Sequence, residues 1–295
     1  MLVMSYQRNL IWHDETGLWA DVLSKSPAKA RTYNNIGTAL KTKGSYGEAL
    51  SYFLKAAELA PRWSLPHYNM GVLYKDARKP EDAFSEFEMS IALKKNDYKS
   101  YNNIGLLHAQ KGEAQKAMEA FRKAAAINPG YYEAYNNIGN LLVEEGKLNE
   151  AEAAYKKSIT INPQYPEGHY NIALLYCKRG KMDDAVDHFQ EALRYKPDYV
   201  EVYTSLGDVF RDRGDFIKAI RLYSEALKIR KDNLEALNNL GVIFARRGEM
   251  QQALSAFERA AAYHPQDEEV RRNLEQTRRI IDKRSKNEKP RMLVQ

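Results

Sequence analysis

Gly37, Gly71, Gly105, Gly139, Gly207 and Gly241 recur at one constant interval, the step from 37 to 71, with Ala173 in the one remaining place and no insertion or deletion in the series. A chain whose small residues return in strict register is one structural motif copied many times. Each copy then packs on its neighbours, and the size limit of a single globular core does not apply to the 295 residues. Such an array offers surface for holding another chain rather than a pocket for chemistry.

With the small residue at position 8, the repeats are 30–63, 64–97, 98–131, 132–165, 166–199, 200–233 and 234–267. Position 4 is Tyr33, His67, Tyr101, Tyr135, His169, Tyr203 and Leu237, and position 7 is Ile36, Met70, Ile104, Ile138, Ile172, Leu206 and Leu240. These fall on one face of a helix at 3.6-residue spacing. Position 20 is alanine throughout (Ala49, Ala83, Ala117, Ala151, Ala185, Ala219, Ala253), and position 24 is aromatic: Phe53, Phe87, Phe121, Tyr155, Phe189, Tyr223, Phe257. That aromatic needs something small to fit against. Glycine inside a helix costs roughly 0.5–1 kcal/mol relative to alanine, so its return at position 8 implies close helix approach.

Position 15 carries Gly44, Gly112, Gly146, Gly180, Gly214 and Gly248, suited to the left-handed conformation that stops a helix. The second repeat has Arg78 there, followed by Lys79 and Pro80, which predicts an irregular turn. Second helices should end before Pro61, Pro129, Pro163, Pro197 and Pro265. The chain reads as all-α, a pair of helices per repeat joined by short turns.

The net charge of +6 is confined to one end. Nine basic and three acidic residues between Arg271 and Gln295 account for all of it, leaving the chain before Arg271 balanced. That terminal segment reads as a solubilising end; it lacks interleaved aromatics, so nucleic acid is not an expected partner. No run of 18 apolar residues crosses a membrane. With Cys177 alone, neither a disulfide framework nor a thiolate metal site can be built.

The period and these residues resemble the tetratricopeptide repeat family over about 240 residues. The resemblance implies a right-handed superhelical solenoid of helix–turn–helix repeats with terminal capping helices, whose first helices line a concave groove for peptides. Around the array, residues 1–29 form an N-terminal flank with a half-repeat capping helix, 268–284 a C-terminal capping helix, and 285–295 a basic disordered tail. Val270, Leu274 and Ile281 supply the cap's apolar stripe.

In the flank, Tyr6-Gln7-Arg8-Asn9, Trp12, Asp14-Glu15, Leu18-Trp19 and Ser26-Pro27, leading to Arg31 and Asn35, resemble the segment that joins the last membrane span to the repeats in transmembrane tetratricopeptide proteins related to protein O-mannosyltransferases. This implies the soluble part of a larger membrane protein, extracytoplasmic and recruiting substrate for a glycosyltransferase. The simpler reading of the same residues is a capping half-repeat, with Trp19 at position 24 and Pro27 at position 32, of a free-standing cytoplasmic scaffold. Met1-Leu2-Val3-Met4 is too short for a span or a signal peptide.

Position 6 is a column of amides: Asn35, Asn69, Asn103, Asn137, Asn171 and Asn239, broken by Ser205. Asparagine is a middling helix former, and an amide donates and accepts at once, matching the backbone of an extended peptide. A similar ladder lines the repeat domain of the O-GlcNAc transferases, and the resemblance implies the same role here; the alternative is that the amides tie neighbouring helices together. Position 5 adds Asn34, Asn102, Asn136 and Asn238, with Tyr68 and Tyr170 in two other repeats. Position 2 changes sign along the array, from Arg31 and Lys99 to Glu133, Glu167, Glu201 and Glu235, an acidic column suited to basic peptides or simply to the first helical turn. The expected peptide-binding set is therefore Asn35, Asn69, Asn103, Asn137, Asn171, Asn239, Asn102, Asn136, Glu133, Glu167 and Glu201.

Tetratricopeptide domains that grip chaperone tails use lysine at position 5 and arginine at position 6. No repeat here has either. His67, His108 and His169 stand in core positions without a carboxylate or cysteine at motif spacing, and no metalloprotease, phosphate-loop or nucleophile-elbow motif occurs. Asp183-Asp184 and Glu144-Glu145 are adjacent, so each pair diverges on a helix. The expectation is a protein-binding scaffold that is not an enzyme, with no cofactor, no metal and a protein or peptide partner. Pairing of arrays end to end is open.

Overall fold

The computed structural model describes Trp19, Val22, Leu23 and residues 28–287. The flank motif before Trp19 and the tail from 288 onward lie outside those residues. Between residues 30 and 287 there are fifteen helices and, among the described residues, no strand. They are α1 (Ala30–Thr42), α2 (Tyr46–Leu59), α3 (Ser64–Asp76), α4 (Pro80–Leu93), α5 (Tyr98–Gln110), α6 (Ala114–Ile127), α7 (Tyr132–Glu144) and α8 (Leu148–Ile161), then α9 (Pro166–Lys178), α10 (Met182–Tyr195), α11 (Val200–Asp212), α12 (Phe216–Ile229), α13 (Leu234–Arg246), α14 (Met250–Tyr263) and α15 (Glu268–Asn287). Each repeat is one antiparallel pair.

The chain divides into two compact units, one ending at Ile161 and the other beginning at Asn162. In the first, α1 to α8 stack so that each second helix meets the next pair and successive first helices lie side by side. The second unit repeats this arrangement from α9 to α14, and α15 packs on α14 as a further first helix.

Each pair is held by contact between position 8 and position 24. A Cβ added at Gly139 would lie 2.5 Å from Cε1 of Tyr155, at Gly105 2.5 Å from Cε1 of Phe121, and at Gly207 2.7 Å from Cε1 of Tyr223. The rings of Phe53, Phe87, Phe121, Phe189, Tyr223 and Phe257 are in turn almost wholly buried. Burying such a ring gains about 1.5–3 kcal/mol, more than the roughly 0.5–1 kcal/mol that a helical glycine costs. Alanine at position 20 is fully buried in every repeat. Ala173 shows that the fifth repeat accommodates one methyl with Phe189 still buried.

Where the aromatic is tyrosine, its hydroxyl enters the pair and must be met. Tyr155 donates to Oδ1 of Asn140 at 2.7 Å, and Tyr223 donates to Oδ1 of Asp208 at 2.6 Å. Both acceptors stand at position 9, which is Thr38, Val72, Leu106, Leu174 and Val242 opposite the phenylalanines. Amide or carboxylate appears only where a phenol requires it.

First helices stop where position 15 turns left-handed, with φ between +72° and +82° at the six glycines. The second repeat corrects the expectation of an irregular turn. Arg78 takes the same conformation at φ +57°, its N–H donating to Lys75 O at 3.0 Å and that of Lys79 to Tyr74 O at 2.8 Å. Gly112 and Glu113 make the equivalent pair of bonds to Ala109 O and His108 O. The backbone hydrogen bonds and the packing of α3 on α4 impose the turn on a side chain that disfavours it. Second helices end two residues before each proline, at Leu59, Ile127, Ile161, Tyr195 and Tyr263.

Two stability changes follow. Gly139→Leu should overpack α7 against α8 and destabilise the protein by about 1–3 kcal/mol, read as a lower urea midpoint at retained helicity. Arg78→Gly should relieve the turn and stabilise it by about 1 kcal/mol, read in the same titration.

Candidate functional site

Positions 2, 5 and 6 lie on the first helices, beside one another within each unit. The amides at positions 5 and 6 form bonds between consecutive repeats, one repeat plus one residue apart. Asn69 Nδ2 donates to Asn34 Oδ1 at 2.8 Å, Asn137 Nδ2 to Asn102 Oδ1 at 2.9 Å, and Asn273 Nδ2 of α15 to Asn238 Oδ1 at 3.0 Å. Where position 5 is tyrosine the pairing persists, Tyr68 reaching Asn103 and Tyr170 reaching Ser205. Burial pushes both phenols above their usual range, aided by Asp97 at Tyr68 and by Glu201 at Tyr170. Asn239 donates instead to Asp208 at 2.9 Å, and the Thr204 hydroxyl at position 5 of the preceding repeat donates to its own helix, to Val200 O or Glu201 O.

The expected site residues thus separate by burial. Asn102, Asn103 and Asn136 are buried, as is Asn34. Asn103 is engaged at both ends, accepting from Lys75 Nζ at 2.8 Å and donating to Lys99 O at 3.0 Å. Burial pulls the Lys75 ammonium below its usual pKa. Asn35, Asn69, Asn137, Asn171 and Asn239 are half-buried and keep part of their surface open. The bonds of Asn69 and Asn137 to the preceding repeat use the Nδ2 group and leave the carbonyl oxygen out of the pairing.

Two of the four glutamates of the acidic column are matched from within. Glu167 meets Lys196 Nζ at 3.5 Å, and Glu201 meets Arg230 at 2.7 Å, each cation standing at position 31 of the same repeat. Burial opposes ionisation of Glu201, but the bond and charge of Arg230, a backbone hydrogen bond and the charge of Lys196 together outweigh it and hold the carboxyl below the usual range. Glu235 is raised instead, by burial and by Asp208 beside it. Glu133 stands apart: its Oε2 is buried and has no hydrogen-bond partner.

The histidines have partners that local spacing did not reveal. Positions 4 and 23 face each other across a pair, so His67 Nδ1 lies 2.7 Å from Glu86 and His169 Nδ1 3.0 Å from His188 Nδ1, where the first repeat stacks Tyr33 on Tyr52. His108 meets Glu113 at 2.6 Å, across the turn of the third repeat. No group of three or more histidine, cysteine, aspartate or glutamate side chains among the described residues is placed to hold a metal. Burial pushes the Cys177 thiol up, which makes it a poor nucleophile.

Comparison with known proteins places the array. Models described as tetratricopeptide repeat match residues 30–62, 98–131, 120–153, 165–232 and 200–266, and one described as TPR repeat matches 139–178. Protein O-mannosyl-transferase TMTC3 of Homo sapiens is 32% identical over 79 residues, 27% of this chain and 9% of that protein, and the Drosophila melanogaster protein is 32% identical over 79 residues, 27% and 8%. The alignment thus spans under a tenth of these relatives' length. Among solved structures, a chain of the APC/C hetero-tetramer Cut9-Hcn1 has a TM-score of 0.71 at 16% identity, covering 89% of this chain and 52% of that one. Yeast Tom70 gives 0.65 at 17%, covering 93% and 60%, and Pseudomonas aeruginosa pilF 0.62 at 17%, covering 72% and 96%. At these identities the likeness concerns the fold.

The facing imidazoles of His169 and His188 carry a pH dependence. Burial, then the charge of His169, lowers the pKa of His188 from 6.5, with Asp184, Asp187 and Glu191 opposing. The unfolded chain therefore takes up a proton first as pH falls through 6.5, and stability is full above that value and declines below it. Thermal melts between neutral pH and pH ~5 should show this loss, and His188→Leu, with the residue that Leu222 supplies at the same position, should flatten it.

Proposed function

We propose, from the premise that this chain belongs to the tetratricopeptide repeat family, that it is a scaffold holding an extended polypeptide along the first helices of a unit. The observation that carries this reading is the amide column itself. Asn69 and Asn137, both half-buried, are held in place through Nδ2 by the preceding repeat, which leaves the acceptor oxygen of each out of that bond. Acceptors fixed in advance suit the backbone N–H groups of a strand-like segment, whatever its side chains, and they avoid part of the entropy cost of ordering. Asn35, Asn171 and Asn239 belong to the same half-exposed set, while the buried Asn102, Asn103 and Asn136 hold the spacing between repeats. Glu167 and Glu201 add side-chain selection, because exposed ion pairs such as theirs are worth about 0–1 kcal/mol and exchange readily for a ligand's cation.

The likeness to protein O-mannosyl-transferase TMTC3 supports a second reading, in which the repeats recruit the polypeptide for a membrane-bound glycosyltransferase. The chemistry then belongs to another part of a longer protein. Among the described residues no helix is long and apolar enough to cross a membrane.

Selection of peptides from a random extended library by the full chain, followed by anisotropy titration, tests the groove. Two lost side-chain bonds at about 0.5–1.5 kcal/mol each predict that Asn69→Ala/Asn137→Ala weakens retained peptides about tenfold or more, irrespective of their sequence. Unchanged affinity in the doubly substituted protein, with helicity intact, removes the amides from the mechanism.

A further inference from the structure

In the second unit, a cation rests on a tyrosine between carboxylates, and the chain supplies every part. Lys196 Nζ lies 4.2 Å from the ring centroid of Tyr199 and 3.5 Å from Glu167 Oε1, with Glu201 close enough to act on the same phenol. Tyr170 closes the arrangement, its ring centroid 5.2 Å from that of Tyr199.

The first unit carries part of this frame: Tyr131 stands where Tyr199 does and Glu133 where Glu201 does, while the exposed Lys99 stands where Glu167 does and Asn128 where Lys196 does. Tyr131 occupies position 34 of its repeat, as Tyr199 does, and meets Tyr98 edge to face at 4.8 Å. Glu133 follows two residues after Tyr131, as Glu201 follows Tyr199, and burial, then Glu133, then Tyr68 and Tyr98 push the Tyr131 phenol far up. Asp97, buried and accepting from the hydroxyls of Ser90 and Ser100 at 2.7 and 2.6 Å, adds negative field at Tyr68. Position 31, which carries Lys196 and Arg230 in the repeats of Glu167 and Glu201, is the neutral Asn162 in the repeat of Glu133. Lys75, the half-buried ammonium on this face, donates to Asn103. Glu133 Oε2 is left buried and without a partner. A carboxylate oxygen stripped of water and unmatched is costly, and tyrosine faces beside it favour a positive guest.

We propose that Glu133 with Tyr68, Tyr98 and Tyr131 is a receptor for one cationic side chain, lysine or arginine, of the bound polypeptide. The carboxylate takes the charge, the rings take the apolar stem and the face of the cation, and the amides on either side align the backbone. This deepens the groove reading and rests on it.

The probe is argininamide, with the neutral citrullinamide as its isostere, titrated into the full chain while the ring resonances of Tyr98 and Tyr131 are followed by NMR. Argininamide should shift both rings and citrullinamide neither. Glu133→Gln should weaken the response about tenfold, and Tyr98→Leu, which keeps the carboxylate, should weaken it too, with melting as in the parent protein. Equal response to both probes, no response to either, or undiminished binding by Glu133→Gln overturns the receptor. Library peptides that bind the parent protein without moving these rings sink the receptor alone. Rings that move for argininamide in a protein that retains no extended peptide sink the groove reading instead.

Discussion

Contact between an aromatic ring and a glycine sixteen positions before it decides how near two helices of a repeat lie, and the rest of the structure is scaled by that distance. With a bare Cα at position 8, the ring at position 24 fills the space a Cβ would take, as in Gly139 with Tyr155 and Gly71 with Phe87. The alanine at position 20 is then buried outright, and the pair is thin enough for the next to stack on it. The dispersion gained over a whole ring exceeds the helical cost of glycine, and so the motif persists through seven copies.

On that spacing, the faces of the first helices become useful. Bonds from position 6 back to position 5 of the preceding repeat fix how one pair follows another, and they orient the amides that remain half-exposed. One set of side chains thus serves both architecture and the proposed groove. The two uses fall on different atoms of one amide, the nitrogen of Asn69 and Asn137 spent on the preceding repeat and the oxygen left out of that bond.

Much of this was legible before coordinates because it is settled inside a single repeat: helix faces, the glycine against its aromatic, the glycine turns and the proline stops. What was not legible depends on longer reach or on main chain overriding side chain. Arg78 offers no signal for a left-handed turn, yet the hydrogen bonds of Lys79 and the packing on either side impose one. That the amides tie neighbouring helices together was one of two readings the sequence offered, but which positions pair is set between different repeats, as is the burial that separates Asn103 from Asn69. Two signals were present and unread. Asn140 and Asp208 coincide with Tyr155 and Tyr223, and lysine or arginine stands at position 31 in the repeats of Glu167 and Glu201 but not in that of Glu133.

The offset of the amide bonds, one repeat plus one residue, also bears on how such a chain grows. Every hydrogen bond of this kind links a repeat only to its immediate neighbour, and the ring, turn and phenol contacts close within a single copy. Duplication of a whole period at any junction inside a unit leaves each of these contacts with its proper mate. An insertion of any other length inside a helix separates the partners on either side of it, in that copy and its neighbour, so length can drift in evolution by whole copies more readily than by single residues.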